Sequence, residues 1–375
     1  MFTNKKIMML ATTDNMIWQF LLPHIRHLQA NGNVVEVVCA KTGFWFDELH
    51  DKHGLTVHEI NFARNPIKPS NFKAYKKLKQ LQKERKFDLI YCQQPVGGLM
   101  GRLIGKKFKI PVIYTAHGFH FFKGCSFKSK LVYKTVEKWL SKYTDILITI
   151  NDEDFEAAKK MKAKNVAKIN GIGMAFNKYE SLTETRQQIR NSLNLTDEDF
   201  VIVTVAEFIK RKNYNTMLET IKELKNRNEN VKFVICGRGQ EEENIKSQIK
   251  QLGIEENVLL LGFRKDINRI LTASDMFMLA SFQEGLTLSV IEAMSFGLPC
   301  VVSDVRGNRD LIADGKGGFV VETENESMFA DKIQSLVKNQ EMRKQFADFN
   351  KEESKKYTIE SVKKQLEEIY KELKC

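Results

Sequence analysis

Short apolar runs alternate with longer amphipathic segments along nearly the whole chain. An apolar run bounded by turn residues suits a buried strand, and apolar positions three and four apart suit a helix laid across it. In the first half this reading predicts strands at 7–11, 34–40, 56–60, 89–92, 112–115, 146–150 and 166–169. Helices are predicted over about 16–30, closed by Asn31-Gly32, and over about 71–85, with a third carrying Gly97, Gly101 and Gly105. Those glycines share one helix face and predict close approach to a neighbour. The pattern breaks at Asn170-Gly171-Ile172-Gly173-Met174, and a linker is expected to run to about Glu184. A second alternation then begins, with a helix over about 186–193 and strands at 201–205, 232–236, 258–261, 276–279, 300–303 and 319–321. Strands separated by crossover helices imply parallel sheets, so the expectation is α/β: two doubly wound domains, at 1–175 and 185–357, with a cleft between them. A last helix, about 359–373, has Ile359, Val362, Leu366, Ile369, Tyr370 and Leu373 at helical spacing.

Composition narrows the class. Hydrophobic residues make 42% and charged residues 28%, with no low-complexity tract, which is globular and not disordered. No apolar run approaches the roughly 18 to 20 residues that span a bilayer. The start, MFTNKKIMMLATT, lacks the apolar core and cleavage site of a signal peptide, because Asp14 follows at once. A cytoplasmic chain, peripheral at the inner face of a plasma membrane, is therefore expected. The six cysteines are widely spaced, and Cys39, Cys92, Cys236 and Cys300 sit in or beside apolar runs, as reduced core residues do. No metal cluster is apparent, and no cofactor is expected.

The net charge of +12 is unevenly spread. Residues 1–178 hold 30 Lys and Arg against 14 Asp and Glu, while the remainder holds 29 against 33. Lys73, Lys76, Lys77, Lys79, Lys83, Arg85 and Lys86 crowd one predicted helix, with Lys106, Lys107 and Lys109 beyond the next. Such a face suits an anionic membrane surface or anionic substrate, or is simply solvated. Nucleic acid is disfavoured, since no recognition module accompanies the charge. Neither a G-x-G-x-x-G nor a G-x-x-x-x-G-K-(S/T) loop follows any strand, which disfavours nicotinamide dehydrogenases and P-loop NTPases.

The chemistry concentrates between Ser281 and Leu311. Glu284-Gly285-Leu286-Thr287 follows the apolar run DMFMLA and opens a predicted helix. Backbone N–H groups there, with the helix dipole, can receive a phosphate. Glu292, eight residues after Glu284, is a carboxylate able to accept from both hydroxyls of a ribose diol. A plainer reading stays open: Ser289-x-x-Glu292 fits a capping box, and Glu284 can be a solvated loop charge. The string from Glu284 to Asp304 resembles the signature of the family 4 retaining glycosyltransferases of GT-B fold. Asp304-Val305-Arg306-Gly307-Asn308-Arg309-Asp310 resembles the subgroup that builds bacterial capsular and exopolysaccharide surface glycans. Thr115-Ala116-His117-Gly118-Phe119-His120-Phe121, Glu137-Lys138-Trp139 and Ile150-Asn151-Asp152-Glu153-Asp154 are similar to the same subgroup.

The resemblance implies two Rossmann-like domains, donor on the second and acceptor on the first, with the last helix (358–375) packing back on the first. It implies a nucleotide-sugar donor and metal-independent chemistry, while the basic first domain suggests a polyprenyl-diphosphate-linked glycan at the membrane face as acceptor. By it, Glu284 holds sugar hydroxyls, His117 faces the donor sugar, Lys212 holds the diphosphate and Glu292 the ribose. Gly285, Leu286 and Thr287 add backbone donors, while Cys236-Gly237-Arg238-Gly239 and Gly262-Phe263-Arg264 lie near the nucleotide. At Ala206-Glu207 the chain departs from the broad family's Gly-Arg, and Arg211 or Lys210 is the candidate for the missing positive charge. Gln93 and Gln94 stand where relatives often have a histidine, and Thr12-Thr13-Asp14-Asn15 where many have paired glycines; Gln93, Gln94, Thr13 and Asp14 are candidate acceptor contacts. The expected reaction is transfer of a hexose with retention. A sugar-nucleotide 2-epimerase of the same fold and a non-catalytic sugar-nucleotide sensor are the alternatives.

Overall fold

The computed structural model describes residues 2–43, 45–63, 68–176 and 182–373. The chain forms two compact units, Met1–Met174 with Ile359–Cys375, and Ala175–Thr358. Among the described residues no helix is long and apolar enough to cross a membrane.

The first unit is built on a parallel sheet of β1 (Lys6–Thr13), β2 (Val34–Ala40), β3 (Thr56–Glu59), β4 (Leu89–Gln93), β5 (Val112–Ala116), β6 (Ile146–Thr149) and β7 (Asn165–Lys168). Its order is β3-β2-β1-β4-β5-β6-β7, so the chain starts in mid-sheet, winds to one edge and returns to β4 beside β1. Strands covered on both faces read as unbroken apolar runs, and Ile7 to Ala11 is accordingly buried throughout. The helices of this unit are α1 (Asp14–Met16), α2 (Leu22–Ala30), α3 (Trp45–Asp51), α4 (Ser70–Arg85), α5 (Pro95–Phe108), α6 (Phe127–Leu140) and α7 (Asp152–Ala158).

The single helix expected over 16–30 is divided. Between α1 and α2 the backbone widens into a π-helical stretch, Ile17–Leu21. Pro23 explains the break: it has no N–H for the carbonyl one turn back, and a widened turn absorbs the mismatch.

The glycine face of α5 meets its own sheet. A Cβ on Gly98 would fall 2.3 Å from the Tyr114 ring, on Gly101 2.7 Å from Cys92 Cβ, and on Gly105 2.2 Å from Val112 Cγ2. Gly98 thus makes a tighter contact than Gly97, whose Cβ would stand 3.3 Å from the Leu10 carbonyl. Beside them the fully buried Arg102 donates to the Gly98 carbonyl (2.8 Å) and forks onto Glu137 of α6 at 2.7 and 3.1 Å. Its guanidinium lies 4.1 Å over the Tyr114 ring. In β2 the buried Glu36 receives Lys6, His58 and Arg85, whose bonds outweigh desolvation and draw its pKa down to about 2.

The second unit repeats the plan with β8 (Phe200–Val205), β9 (Val231–Cys236), β10 (Val258–Gly262), β11 (Met276–Leu279), β12 (Cys300–Ser303) and β13 (Gly318–Val321), in the order β10-β9-β8-β11-β12-β13. Around it lie α8 (Arg186–Ser192), α9 (Tyr214–Asn226), α10 (Glu242–Leu252), α11 (Ile267–Ala273), α12 (Leu288–Ser295), α13 (Asn308–Leu311), α14 (Glu326–Lys338) and α15 (Gln340–Ser354). Finally α16 (Ile359–Tyr370) belongs to the first unit. Ile359 N–H donates to the Met174 carbonyl (3.1 Å), and buried Tyr370 meets Tyr91 edge-on.

In each sheet the winding reverses once, between β1 and β4 and between β8 and β11. Loops leaving the carboxyl ends of such strands splay to opposite faces and open a crevice for ligands. Most of the residues singled out from the sequence lie on those loops.

Candidate functional site

In the second unit the loop after β8 and the loop after β11 are tied together. Phe282 N–H donates to the Arg211 carbonyl at 2.9 Å, and Asn213 Nδ2 to the Ala280 carbonyl at 3.1 Å. Asn213 adopts a left-handed φ of 51° and caps α9 through its side chain, a conformation asparagine accepts more readily than most residues. This turn brings Lys212 inward. Its Nζ donates to Glu284 Oε1 at 2.6 Å, while Arg211 Nη1 stands 3.1 Å from Glu284 Oε2 and 2.6 Å from the Gln283 carbonyl. Glu284 and Lys212 are buried, and Arg211 is half-buried. Glu284 is therefore not a solvated loop charge.

The amino end of α12 sits next to that cluster. Its cap is Thr287, whose hydroxyl donates to Asn308 Oδ1 (2.7 Å). Ser289 lies inside the helix, so the capping box considered for Ser289 and Glu292 does not form there. Glu292, half-buried, occupies the second turn. The loop after β12 supports the arrangement. Arg306 Nε donates to the Glu284 carbonyl at 3.1 Å, and Asn308 Nδ2 holds the Ser303 carbonyl at 3.2 Å. Gly307, at φ 79°, passes so close that a Cβ would fall 2.5 Å from the Gly285 carbonyl.

The turns after β9 and β10 complete this end of the sheet. Phe208 N–H donates to the Arg238 carbonyl at 2.9 Å, and Gly237 N–H to the Gly262 carbonyl at 2.9 Å. A Cβ on Gly237 would stand 1.9 Å from the Ala206 carbonyl, so that position excludes a side chain. Phe263 is exposed, with the Arg238 guanidinium 4.5 Å above its ring. Arg264 is forked onto Asp266 at 2.8 and 2.6 Å. Glu207 is exposed beside the turn.

In the first unit His117 follows β5, half-buried, with Nε2 2.7 Å from Gln93 Oε1 at the end of β4. A bond to an amide oxygen requires Nε2 to carry the proton. Desolvation lowers the His117 pKa to about 4, and His24 nearby acts in the same direction, so the ring is neutral at pH 7. Gln94 holds a positive φ of 63°, and its side-chain oxygen accepts from Thr12 N–H at 2.9 Å. Thr13 ends β1 without a side-chain cap to α1. The buried Asp14 accepts from Thr42 and from the N–H groups of Thr42 and Gly43 (both 3.3 Å), so it organises the loop after β2.

Folding therefore gathers Lys212, Arg211, Glu284, Thr287 and the turn at Gly285 in the second unit, and His117 with Gln93 in the first. Sequence reasoning missed several positioning residues. Asp154 Oδ2 accepts from Phe119 N–H at 3.1 Å and Glu153 Oε1 from Lys123 N–H at 2.7 Å, so the start of α7 holds the loop after His117. Arg306 and Asn308 brace the Glu284 loop. The Asn151-x-x-Asp154 spacing of an amino cap was the available signal for the first pair; nothing in local spacing marks the second.

Two family patterns match the chain: glycosyl transferase 4-like over residues 6–151, and glycosyl transferases group 1 over residues 185–353. The putative glycosyltransferase EpsD of Bacillus subtilis is 31% identical over 98% of this chain and 96% of its own length. The UDP-Gal:α-D-GlcNAc-diphosphoundecaprenol α-1,3-galactosyltransferase of Escherichia coli is also 31% identical, over 81% of this chain and 79% of its own. Among solved structures, Anabaena HepE in complex with UDP and glucose superposes with a TM-score of 0.82 at 19% identity, covering 99% of this chain and 100% of that one, a likeness of fold. With a relative this similar along nearly its whole length, the chain belongs to the GT-B glycosyltransferases, its first unit carrying the 4-like pattern and its second the group 1 pattern.

Proposed function

We propose that this protein is a retaining family 4 hexosyltransferase. It moves a sugar from a UDP-sugar to a glycan on a polyprenyl diphosphate, peripherally at the inner face of the bacterial plasma membrane, in surface polysaccharide synthesis. The observation that carries this reading is the meeting of Lys212 and Arg211 on Glu284, beside the amino end of α12. Cleaving a sugar–diphosphate bond builds negative charge on phosphate oxygens, and preorganised donors aimed there are each worth about 10²- to 10³-fold in rate. Lys212, Arg211 and the N–H groups of Gly285, Leu286 and Thr287 supply them without a metal ion. The position of Arg211 supports its standing in for the family arginine that Glu207 replaces.

In this reading Glu284 neutralises the two cations until the diphosphate arrives, then turns to the sugar hydroxyls. Glu292 accepts from the ribose. Gly237, Arg238, Phe263 and Arg264 border the nucleotide. Neutral His117, its Nε2–H held by Gln93, accepts from a sugar hydroxyl through Nδ1 without adding charge. Gln93, Gln94, Thr13 and Asp14 belong to the acceptor side, where Asp14 and Gln94 act by shaping the backbone. The names of relatives from Escherichia coli and Campylobacter jejuni, both transferases to undecaprenol-linked sugars, support the acceptor class, and the capsular glycosyltransferase CapM of Staphylococcus aureus supports the process.

The test is a panel of UDP- and GDP-sugars, with nucleotide release followed with and without a bacterial membrane lipid extract. Lipid-dependent release from one donor is expected. Release of a free epimerised sugar would instead mark an isomerase, and binding without release from any donor a sensor.

A further inference from the structure

We infer that α6 is an in-plane docking helix for an anionic lipid bilayer. The inference rests on the proposed lipid-borne acceptor and deepens it by naming the surface that reaches the lipid.

Most apolar side chains of this length are covered in a folded chain, yet on α6 Phe127 is 81% exposed, Leu131 59%, Val132 47%, Val136 42% and Trp139 43%. At about 100° per residue these five fall within one half of the helix circumference. The other side is fixed to the unit: Leu140 is buried, and Glu137 reaches inward to Arg102. Glu137 is the helix's single acid, so its outward charge comes from Lys128, Lys130, Lys134 and Lys138, all exposed. Lys106 at the end of α5 adds a further cation, over the rings of Trp139 (5.3 Å) and Tyr143 (4.3 Å).

Contiguous exposed apolar surface marks an interaction site, and the lysines among it decide the partner. A second copy docked through the same face would set lysines against lysines, as a two-fold interface pairs a patch with itself. A polyanion in water would satisfy the lysines and leave Phe127, Leu131 and Val136 uncovered. An anionic bilayer takes both: apolar side chains enter the acyl boundary while the long lysine stems carry their charge back to the headgroups. At 14 residues the helix would lie along the interface for about 21 Å.

The experiment is co-sedimentation of the full chain, without sugar nucleotide, with vesicles of phosphatidylcholine alone or with about 30% phosphatidylglycerol, at about 50 and about 500 mM salt. Wild type should partition onto the anionic vesicles and lose most binding at high salt. Two variants, Phe127→Ser/Leu131→Ser/Val136→Ser and Lys128→Glu/Lys134→Glu/Lys138→Glu, should each bind at least about tenfold less while melting as wild type does. Wild-type binding by both would overturn the inference, as would loss confined to Lys73→Glu/Lys76→Glu/Lys77→Glu on α4. A dimer that the apolar variant dissociates, with vesicle binding intact, would reassign α6 to self-association. Vesicle binding is read without turnover, so the two failures separate. Docking without transfer from any donor would sink the functional reading alone, and transfer to a detergent-solubilised acceptor by a chain that ignores vesicles would sink the docking helix alone.

Discussion

Glu284→Gln separates the charge of this carboxylate from its shape. In the free protein the carboxylate accepts from Lys212 at 2.6 Å and faces Arg211 at 3.1 Å, and its side chain is 7% exposed. The amide oxygen of glutamine can keep the Lys212 bond, but an ion pair becomes a bond from an ammonium to a neutral oxygen, a loss of about 1–2 kcal/mol. Arg211, with a side chain 39% exposed, can turn to water and costs less than about 1 kcal/mol. The second unit should therefore lose about 2 kcal/mol, or roughly 5 °C in melting temperature. Affinity for UDP should move the other way. Two cations released from their internal counter-ion are available to the diphosphate, so Kd should fall by about tenfold, equivalent to 1.4 kcal/mol. Turnover should drop by at least about 100-fold if the carboxylate also holds the sugar. Calorimetric titration with UDP beside a thermal melt reads the first two effects, and nucleotide release the third. If melting, UDP affinity and turnover all stayed at wild-type values, Glu284 would be neither the counter-ion nor the sugar ligand.

Gly98→Ala places a methyl group 2.3 Å from the Tyr114 ring; over-packing of this kind should cost about 1–3 kcal/mol in urea unfolding, whereas Gly54→Ala, with open space around it, should show only the strain of its positive φ. Breaking the buried Arg102–Glu137 pair by Arg102→Met strands Glu137 and should destabilise the first unit by about 3 kcal/mol; a double variant with Glu137→Leu should recover much of that loss. Burial lowers the His24 pKa to about 4, against its ordinary 6.5, with the ring bonded to the Ile172 carbonyl at 2.6 Å. The unfolded chain then binds the extra proton first as pH falls, so stability contributed above pH 6.5 is lost between 6.5 and 4, on the order of 2–3 kcal/mol by pH 4.5. His117 adds in the same direction. Urea melts at pH 7.5 and 4.5 should show that dependence reduced in His24→Gln.

The two alternations, the parallel sheets and the placement of site loops at strand ends were legible because strands buried on both faces leave unbroken apolar runs. The glycine face of α5 was legible as a close contact, but not that Gly98 made it more tightly than Gly97; that depends on where Tyr114 of β5 stands. The division of the first long helix was not foreseen, although Pro23 marked its place. Motif strings located Glu284, Lys212 and His117, but spacing alone could not show that Lys212 and Arg211 meet Glu284, because that contact joins residues 72 positions apart through two strand-end turns. Asp154, Arg306 and Asn308 escaped for the same reason: they act on loops distant in sequence. The exposed face of α6 was also unreadable, since an amphipathic segment does not declare which apolar side stays uncovered.

A retaining transferase moves a sugar onto its lipid-borne glycan with the anomeric configuration kept. The direct measurement uses the donor found active in the panel, labelled with ¹³C at the anomeric carbon, and reads the product extracted into the lipid phase by NMR. Label is expected in the lipid fraction with the donor's own anomeric configuration. Label found only as free sugar in water, or lipid-bound with the configuration inverted, would contradict retaining transfer.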